Sequence, residues 1–436
     1  MAFQQGLSGL DAASKALDVI SNNVANGGTV GFKSSSVHFS DVFANSLQGA
    51  GAAQIGIGAA MTGVVQQFTQ GNITTTNNPL DLSINGGGFF RMSNAGTVTY
   101  SRNGQFHLDK NGYVVNDAGL RMTGYAADST GTILQSTPVD VQLDSSAQPP
   151  VATGASIGGT FNGVRGNVNL DARETQPSSP WAVGGTGAAW SPNPQTYNYS
   201  TAVSIYDSLG FAHNLAFYFV KTANPGEWDV HANVDGTSDS YVTISAGSPL
   251  QFDSSGNLVG TTVPLQVSID LDGVVTDSTG GANTNSATTP LTFEVDLAGS
   301  TQYGSGFSTN RLEQDGYAAG SLAGLSVSGD GVIQGRYSNG QTRNLAQVVL
   351  ANFTNPNGLT ALGANQWSET SASGPALLGA PNSGSLGVLQ SAAVEASNVD
   401  LTAELVAMIT QQRNYQANAQ SIKTQDSVMQ TLVNLR

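Results

Sequence analysis

Both ends of the chain carry a heptad pattern, and nothing else in the sequence restricts the fold as much. Near the N-terminus the apolar slots are filled by Phe3, Leu7, Leu10, Leu17 and Val24, with Ser14 and Ser21 between them. Alternating steps of four and three place these side chains along one face of a helix. The run stops at Asn26-Gly27-Gly28, where glycine removes helix propensity and suits a C-terminal cap. At the other end Leu401, Leu405, Met408, Tyr415, Ala419, Ile422, Met429 and Val433 share one seam, interrupted by Gln412 and Asp426. Ser397 or Asn398 suits the N-cap, and Asp400 sits favourably in the first turn. A helix from Val399 to the end measures roughly 50 Å at about 1.5 Å per residue.

Outside their seams these helices are unusually uncharged. Between Met1 and Phe32 the charges are Asp11, Lys15 and Asp18, and the other polar positions are mostly Ser, Asn and Gln. A solvated helix face normally carries Glu and Lys pairs, whereas Ala, Ser, Gln and Asn suit a face lying against other protein. One seam of this length does not offset the entropy of ordering such a helix, so it is expected to be marginal alone and stable when packed on several sides.

Between the ends the pattern changes to period two. Leu80 to Ile84, Leu265 to Leu271 and Leu291 to Val295 alternate apolar with polar residues. Asn103-Gly104, Asn111-Gly112, Asp235-Gly236, Asp272-Gly273, Asp330-Gly331 and Asn339-Gly340 read as short hairpin turns between strands. The expected fold is therefore mainly β with terminal α-helices: two nested β domains beneath an N/C-terminal coiled-coil layer. Residues 1–30 and 390–436 form the helical layer. Residues 31–70 and 372–389 read as connectors, the Gly/Ala-rich stretch 49–60 being irregular. Residues 71–145 and 301–371 make a discontinuous β-rich middle domain, and 146–300 an inserted β-rich outer domain. No tandem repeat of solenoid length is evident.

Composition excludes several functions. The formal net charge of −15 repels a phosphate backbone, so no nucleic-acid partner is expected. The absence of cysteine rules out disulfides and thiolate metal sites. Residues 1–10 have neither a basic region nor a continuous apolar run, so no cleaved signal peptide and no membrane insertion are expected. The histidines are His38, His107, His213 and His231, none paired at metal-ligand spacing on a helix. Gly329 to Gly335 is glycine-rich, but turn signals surround it where a nucleotide loop needs a strand-to-helix transition. Asp270, Asp272 and Asp277 lack the spacing of a calcium loop. The expectation is a non-enzymatic structural protein with no cofactor, metal site or catalytic residue.

Particular stretches carry a resemblance. Ile20-Ser21-Asn22-Asn23-Val24-Ala25-Asn26 followed by Thr29-Val30-Gly31-Phe32-Lys33 resembles the N-terminal signature of flagellar rod, hook and hook-associated axial proteins. Ser397-Asn398-Val399-Asp400-Leu401, then Glu404, Met408, Gln412-Arg413, Tyr415 and Asn418, resembles the C-terminal signature of the same family. Leu80 to Phe90 and Tyr100 to Phe106 are similar to its hook and distal-rod branch, and Tyr199 to Gly210 and the stretch from Gln314 to Phe353 to the hook itself. Ala392 departs from the pattern, standing where the family often has glycine.

The resemblance implies a subunit of an extracellular, flexible, hollow helical tube that carries torque from rod to filament. It also implies export, without a cleaved signal, through the flagellar type III apparatus. Phe3 and Leu7 match the short aromatic-x-x-x-aliphatic element such subunits present to the export gate. The implied partners are many copies of the chain itself, the distal rod below, hook–filament junction proteins above, and the hook cap during assembly. Leu7, Leu10, Leu17, Leu401, Leu405, Met408, Tyr415 and Ile422 are the expected packing residues of the inner wall. Asn22, Asn23, Ala25, Asn26, Gly31, Phe32, Ser397, Asn398, Asp400, Gln412 and Arg413 are the signature residues. A distal rod or hook-associated subunit shares both signatures. A secreted β-rich adhesin or carbohydrate-binding module is the alternative from another class; it requires an exposed aromatic cluster, and Trp181, Trp190, Trp228 and Trp367 lie far apart in sequence.

Overall fold

The computed structural model describes the chain except for residues 1, 43–55, 95, 129, 145–146, 156–160, 185–190, 247, 260–263, 280–285 and 435–436. Helix α1 spans Ala2–Ala25 and helix α3 spans Leu401–Asn434, with strands filling most of the interval between them. The mainly-β fold with helical ends is thus the observed one. The chain divides into two compact units, one of Met1–Ser145, Gly324–Arg336 and Thr342–Arg436, the other of Ser146–Ala323 and Tyr337–Gln341.

In the first unit the incoming and outgoing segments run side by side. Ile73–Thr75 pairs antiparallel with Ala393–Glu395, and Leu82–Asn85 pairs with Val388–Ser391. Within the expected connector at 372–389 the strand residues are Leu377–Gly379 and the start of Val388–Ser391, the rest being turns and irregular backbone. The expected connector at 31–70 is corrected. Strands β1 (Ser35–Val42) and β2 (Gly58–Gln66) form an antiparallel pair that packs on α1, and the glycine-rich residues 49–55 lie outside the described residues. Gly58 lies against Ser8 with no room for a side chain, and the Gln5 amide donates to the Gly56 carbonyl at 2.6 Å. Glycine in this stretch therefore permits close approach of backbone to helix rather than irregularity. The core of the unit is built on Leu82, Ile84, Phe90, Met92, Met122, Ile333 and Val348. A second cluster joins Phe89, Tyr100, Phe353 and Trp367, with Phe68 edge-on to Phe89 and Trp367.

The second unit has two sheets around one core. The four-stranded sheet holds Tyr199–Tyr206, Ala212–Lys221, Glu227–Val234 and Leu250–Gln251, and contributes Leu215, Phe217, Phe219, Trp228 and Val234 to the core. The five-stranded sheet contributes Val164, Val168, Val267, Ile269, Phe293 and Val295. Leu265–Ile269 alternates buried with half-buried residues, as its period-two sequence requires.

The turns depart from the two-residue hairpins expected. At Asn111-Gly112 the Gly112 amide donates to the Asp109 carbonyl, the Asp109 amide donates to Tyr113, and Gly112 has φ 81°. This is a three-residue loop closed by a left-handed glycine. The Asp109 carboxylate accepts from the Asn111 and Tyr113 amides, and Asp128, Asp207 and Asp253 accept in the same way in their own turns. Asp330-Gly331 and Asn339-Gly340 close loops of the same length, so the glycine-rich 329–335 stretch is a turn followed by a strand. Asp272-Gly273 is not a turn between strands: it lies in helix α2, Leu271–Thr279, whose Leu271 and Val274 are buried in the core. Gly273 leaves space for the Tyr241 ring, which explains a glycine inside a helix.

Candidate functional site

Helices α1 and α3 pack antiparallel, because Gly6 faces Ile422, Gly9 faces Asn418, and the Asn23 amide donates to Glu404 at 2.9 Å. The buried positions of α1 are Gly6, Ala13, Ala16 and Asn23, spaced seven, three and seven apart on one face. This face of small residues is not the expected seam. Leu10, Leu17, Met408 and Ile422 are half-buried, whereas Leu7, Leu401, Leu405 and Tyr415 remain 53%, 47%, 49% and 38% exposed. The heptad reading located the apolar stripe but not the partner face. Glycine and alanine let the two backbones approach, and a stripe of large side chains on the same face would hold them apart.

Further exposed large side chains are Phe3, in line with Leu7 on α1, and Ile409 and Met429 along the stripe of α3, while Val406 and Val428 are exposed on its other face. Gly6 already lies opposite Ile422, so the last turns of α3 extend past the start of α1 and carry Val428 and Met429 with them.

A buried polar clamp holds the base of the helix pair. Lys33 Nζ donates to Glu395 Oε1 and to the Thr69 carbonyl, each at 2.7 Å. Arg102 reaches Glu395 Oε2 at 3.2 Å and the Gly86 carbonyl at 2.9 Å, and the Gly71 amide donates to Glu395 Oε1 at 2.8 Å. The three charged side chains are 4% exposed or less. Burial pushes the Lys33 amine below its ordinary value, the nearby Arg102 guanidinium adds to this, and Glu395 opposes both. Two cations on one carboxylate make Glu395 the member the others depend on.

Some of the signature residues lie beside this clamp. Asn398 accepts from the Ser34 amide at 2.7 Å and donates to the Gln67 carbonyl at 2.7 Å, tying the start of α3 to both segments that flank β1 and β2. Asn23 exchanges hydrogen bonds with the backbone of Ser35 at 2.8 and 2.9 Å. Gly31 has φ 71°, donates to the Glu395 carbonyl, and leaves no space for a side chain beside Arg102 and Asn103. Asn26 bonds back to the Asn22 carbonyl as α1 ends. Asp400, rather than Ser397 or Asn398, is the N-cap of α3, accepting from Thr402 and Ala403 at 2.9 and 3.1 Å. Gly27 is not a left-handed cap; it makes space for Leu401. Phe32 and Ser397 are half-buried, and Asn22, Ala25, Gln412 and Arg413 are exposed. Sequence reasoning missed Glu395. The available signal was the isolated bases Lys33 and Arg102, each inside an otherwise uncharged motif of a chain only 10% charged.

In the second unit Trp181 stacks on His231 at 4.3 Å and lies beside Tyr197 and Tyr218, a grouping hidden by sequence distance. These rings are half-buried and packed on one another, while Trp228 and Trp367 lie in separate cores. His107 is an exposed strand residue 3.8 Å from Asp117.

Four family models match in chain order. Residues 3–33 match the flagella basal body rod protein model, and 83–159 match the flagellar hook protein FlgE/F/G D1 domain. Residues 169–317 match the flagellar basal body protein FlaE D2 domain, and 390–435 match the flagellar basal body rod FlgEFG protein C-terminal region. The chain is 40% identical to a flagellar hook protein of Escherichia coli strain K12, over 100% of both chains. It is 32% identical to that of Borreliella burgdorferi, over 100% of this chain and 99% of the relative. It is 31% identical to that of Brucella suis, over 100% and 98% respectively.

Proposed function

Since the chain belongs to the flagellar hook protein family, we propose that it is a structural subunit of the flagellar hook that polymerises through its terminal helices into a hollow, flexible tube. The observation that supports this most is the apolar stripe on α1 and α3, of which Leu7, Leu401, Leu405 and Tyr415 stay exposed and Leu10, Leu17, Met408 and Ile422 only half-buried in one chain, while the β cores are closed. Leu7, Leu10, Leu17, Leu401, Leu405, Met408, Tyr415 and Ile422 become inner-wall contacts between copies. In this tube the β strands of the first unit form a middle shell and residues 146–323 with 337–341 an outer one, the expected boundary at 300 moving to 323 because strand Ser308–Gln314 pairs with Gly163–Asn169. Torque transmission requires a continuous inner wall and outer contacts that exchange between states of nearly equal energy.

The chain is carried out of the cell unfolded by the flagellar type III machinery, with Phe3 and Leu7 presented at the gate. Its neighbours are distal rod, junction and cap proteins at the two ends of the tube. Electron microscopy of the purified chain under polymerising conditions tests the reading, together with a variant in which residues 146–323 are replaced by a short linker. Tubes are expected from both, with altered bending in the second. A folded second variant that forms no tube overturns the layered assignment.

A further inference from the structure

We propose that His213 is a proton-operated latch: its imidazolium ring ties the turn at Asp207 to the turn at Asp235, and loss of one proton releases the Asp207 side. His213 lies at the start of strand Ala212–Lys221 and is 7% exposed. Its Nδ1 is 2.7 Å from Asp235 Oδ2, and its Nε2 is 3.7 Å from Asp207 Oδ2. The charged groups facing the ring are Asp207, from the turn joining Tyr199–Tyr206 to Ala212–Lys221, and Asp235, from the turn after Glu227–Val234.

The two carboxylates differ in what else holds them. Asp235 Oδ1 accepts from the Asn214 amide at 2.7 Å, and the residue is exposed. Asp207 is fully buried; its Oδ1 accepts from the Leu209 and Phe211 amides at 2.9 and 2.8 Å. Its Oδ2 has no hydrogen-bond partner, nor has His213 Nε2 opposite it. A neutral ring donating from Nδ1 to Asp235 would turn a lone pair on Nε2 toward that buried negative charge. A doubly protonated ring donates from Nδ1 to Asp235 and turns a second N–H toward the Asp207 charge at 3.7 Å, an ion pair rather than a hydrogen bond. The carboxylates lie on opposite nitrogens, so no single metal ion collects all three groups, and a proton is the ligand this arrangement suits.

The direction of titration agrees. The hydrogen bond that the ring donates to Asp235 raises it above the ordinary histidine value against the opposing effect of burial, with both carboxylate charges adding to it. A folded-state value above the unfolded one gives stability that is complete below about pH 6.5 and lost as pH rises through the folded value. What is released is a turn whose tip exposes Leu209 and Phe211, at 45% and 57%.

The test is NMR titration of the imidazole nitrogens in the full-length chain, with the His213 signals assigned by comparison with His213→Gln. Both nitrogens are expected to carry protons at low pH, with a midpoint above the ordinary histidine value. Asp207→Asn is expected to lower that midpoint by about 1 pH unit. In the unmodified chain, hydrogen exchange at the Leu209 and Phe211 amides, corrected for intrinsic rate, should accelerate above the midpoint. It should be independent of pH across that range in His213→Gln. A His213 midpoint at or below the ordinary value overturns the proposal without any variant. So does an Asp207→Asn chain that folds and keeps the wild-type midpoint.

Discussion

The helical ends and the two-sheet unit use apolar residues in opposite ways. In the two-sheet unit Leu215, Trp228, Val234 and Ile269 are buried in one closed core. Along α1 and α3 the large apolar side chains face outward, and the buried positions belong to glycine, alanine and asparagine. One region satisfies its hydrophobic surface within the chain; the other leaves it to be satisfied by association. Contiguous exposed apolar surface marks an interaction site in a way that scattered single residues do not. The same residue type is thus a folding residue in one region and an assembly residue in the other.

A pair of identical substitutions is the strongest attempt to break this contrast. Leu215→Asp places an unpaired carboxylate in the closed core and should unfold the two-sheet unit. Leu405→Asp, at a position 49% exposed, should leave the thermal midpoint of the monomer unchanged and abolish polymerisation. Circular dichroism melts and sedimentation of both variants read the two effects separately. Normal tubes from Leu405→Asp would remove the distinction.

The next effect concerns a boundary inside the first unit, between the helix layer and the strands beside it. Glu395→Gln leaves Lys33 and Arg102 buried without their counter-charge and should cost about 3–5 kcal/mol. The loss should appear in urea unfolding of the first unit, while the second unit keeps its transition. A cost below about 1 kcal/mol would show that the clamp contributes little to joining helix layer and sheet.

The smallest effect sharpens the same boundary. Ala392 has φ 52°, a left-handed conformation, where the family pattern has glycine. Ala392→Gly relieves about 1–2 kcal/mol of backbone strain against about 0.4–1 kcal/mol of added unfolded-chain entropy. A net gain of about 0.5 kcal/mol in urea unfolding is expected, with assembly unaffected; destabilisation would mean that the alanine methyl group contributes packing.

The elements most legible in the sequence were those with sustained periodicity. The seams gave both helices, and Leu265 to Ile269 gave its strand, because each pattern repeats over enough residues to exclude the other period. The α1–α3 interface was not legible, because small residues carry no hydrophobic signal and their value lies in the approach they permit. The end of the 49–60 stretch reads as irregular for the same reason, although Gly58 begins a strand. Helix α2 was missed because Asp-Gly reads locally as a turn, and only the core contacts of Leu271 and Val274 reveal a helix. The Glu395 clamp was half-legible: its bases stood out, while its acid, paired at a sequence distance of 362 and 293 residues, did not.

The small-residue face between α1 and α3 also has a mechanical meaning. Towards the start of α1 the contact is Ile422 seated against Gly6 and Asn418 against Gly9, held by packing rather than by hydrogen bonds, so it is the more compliant part of the pair. Near the other end, Asn23 is pegged to Glu404 and Ser35, and Asn398 is pegged to Ser34 and Gln67. The pair is therefore a cantilever, rigidly mounted at one end and compliant along its span. A load applied to the free tip of α3 becomes a bending moment at the mount, where three buried charges resist it.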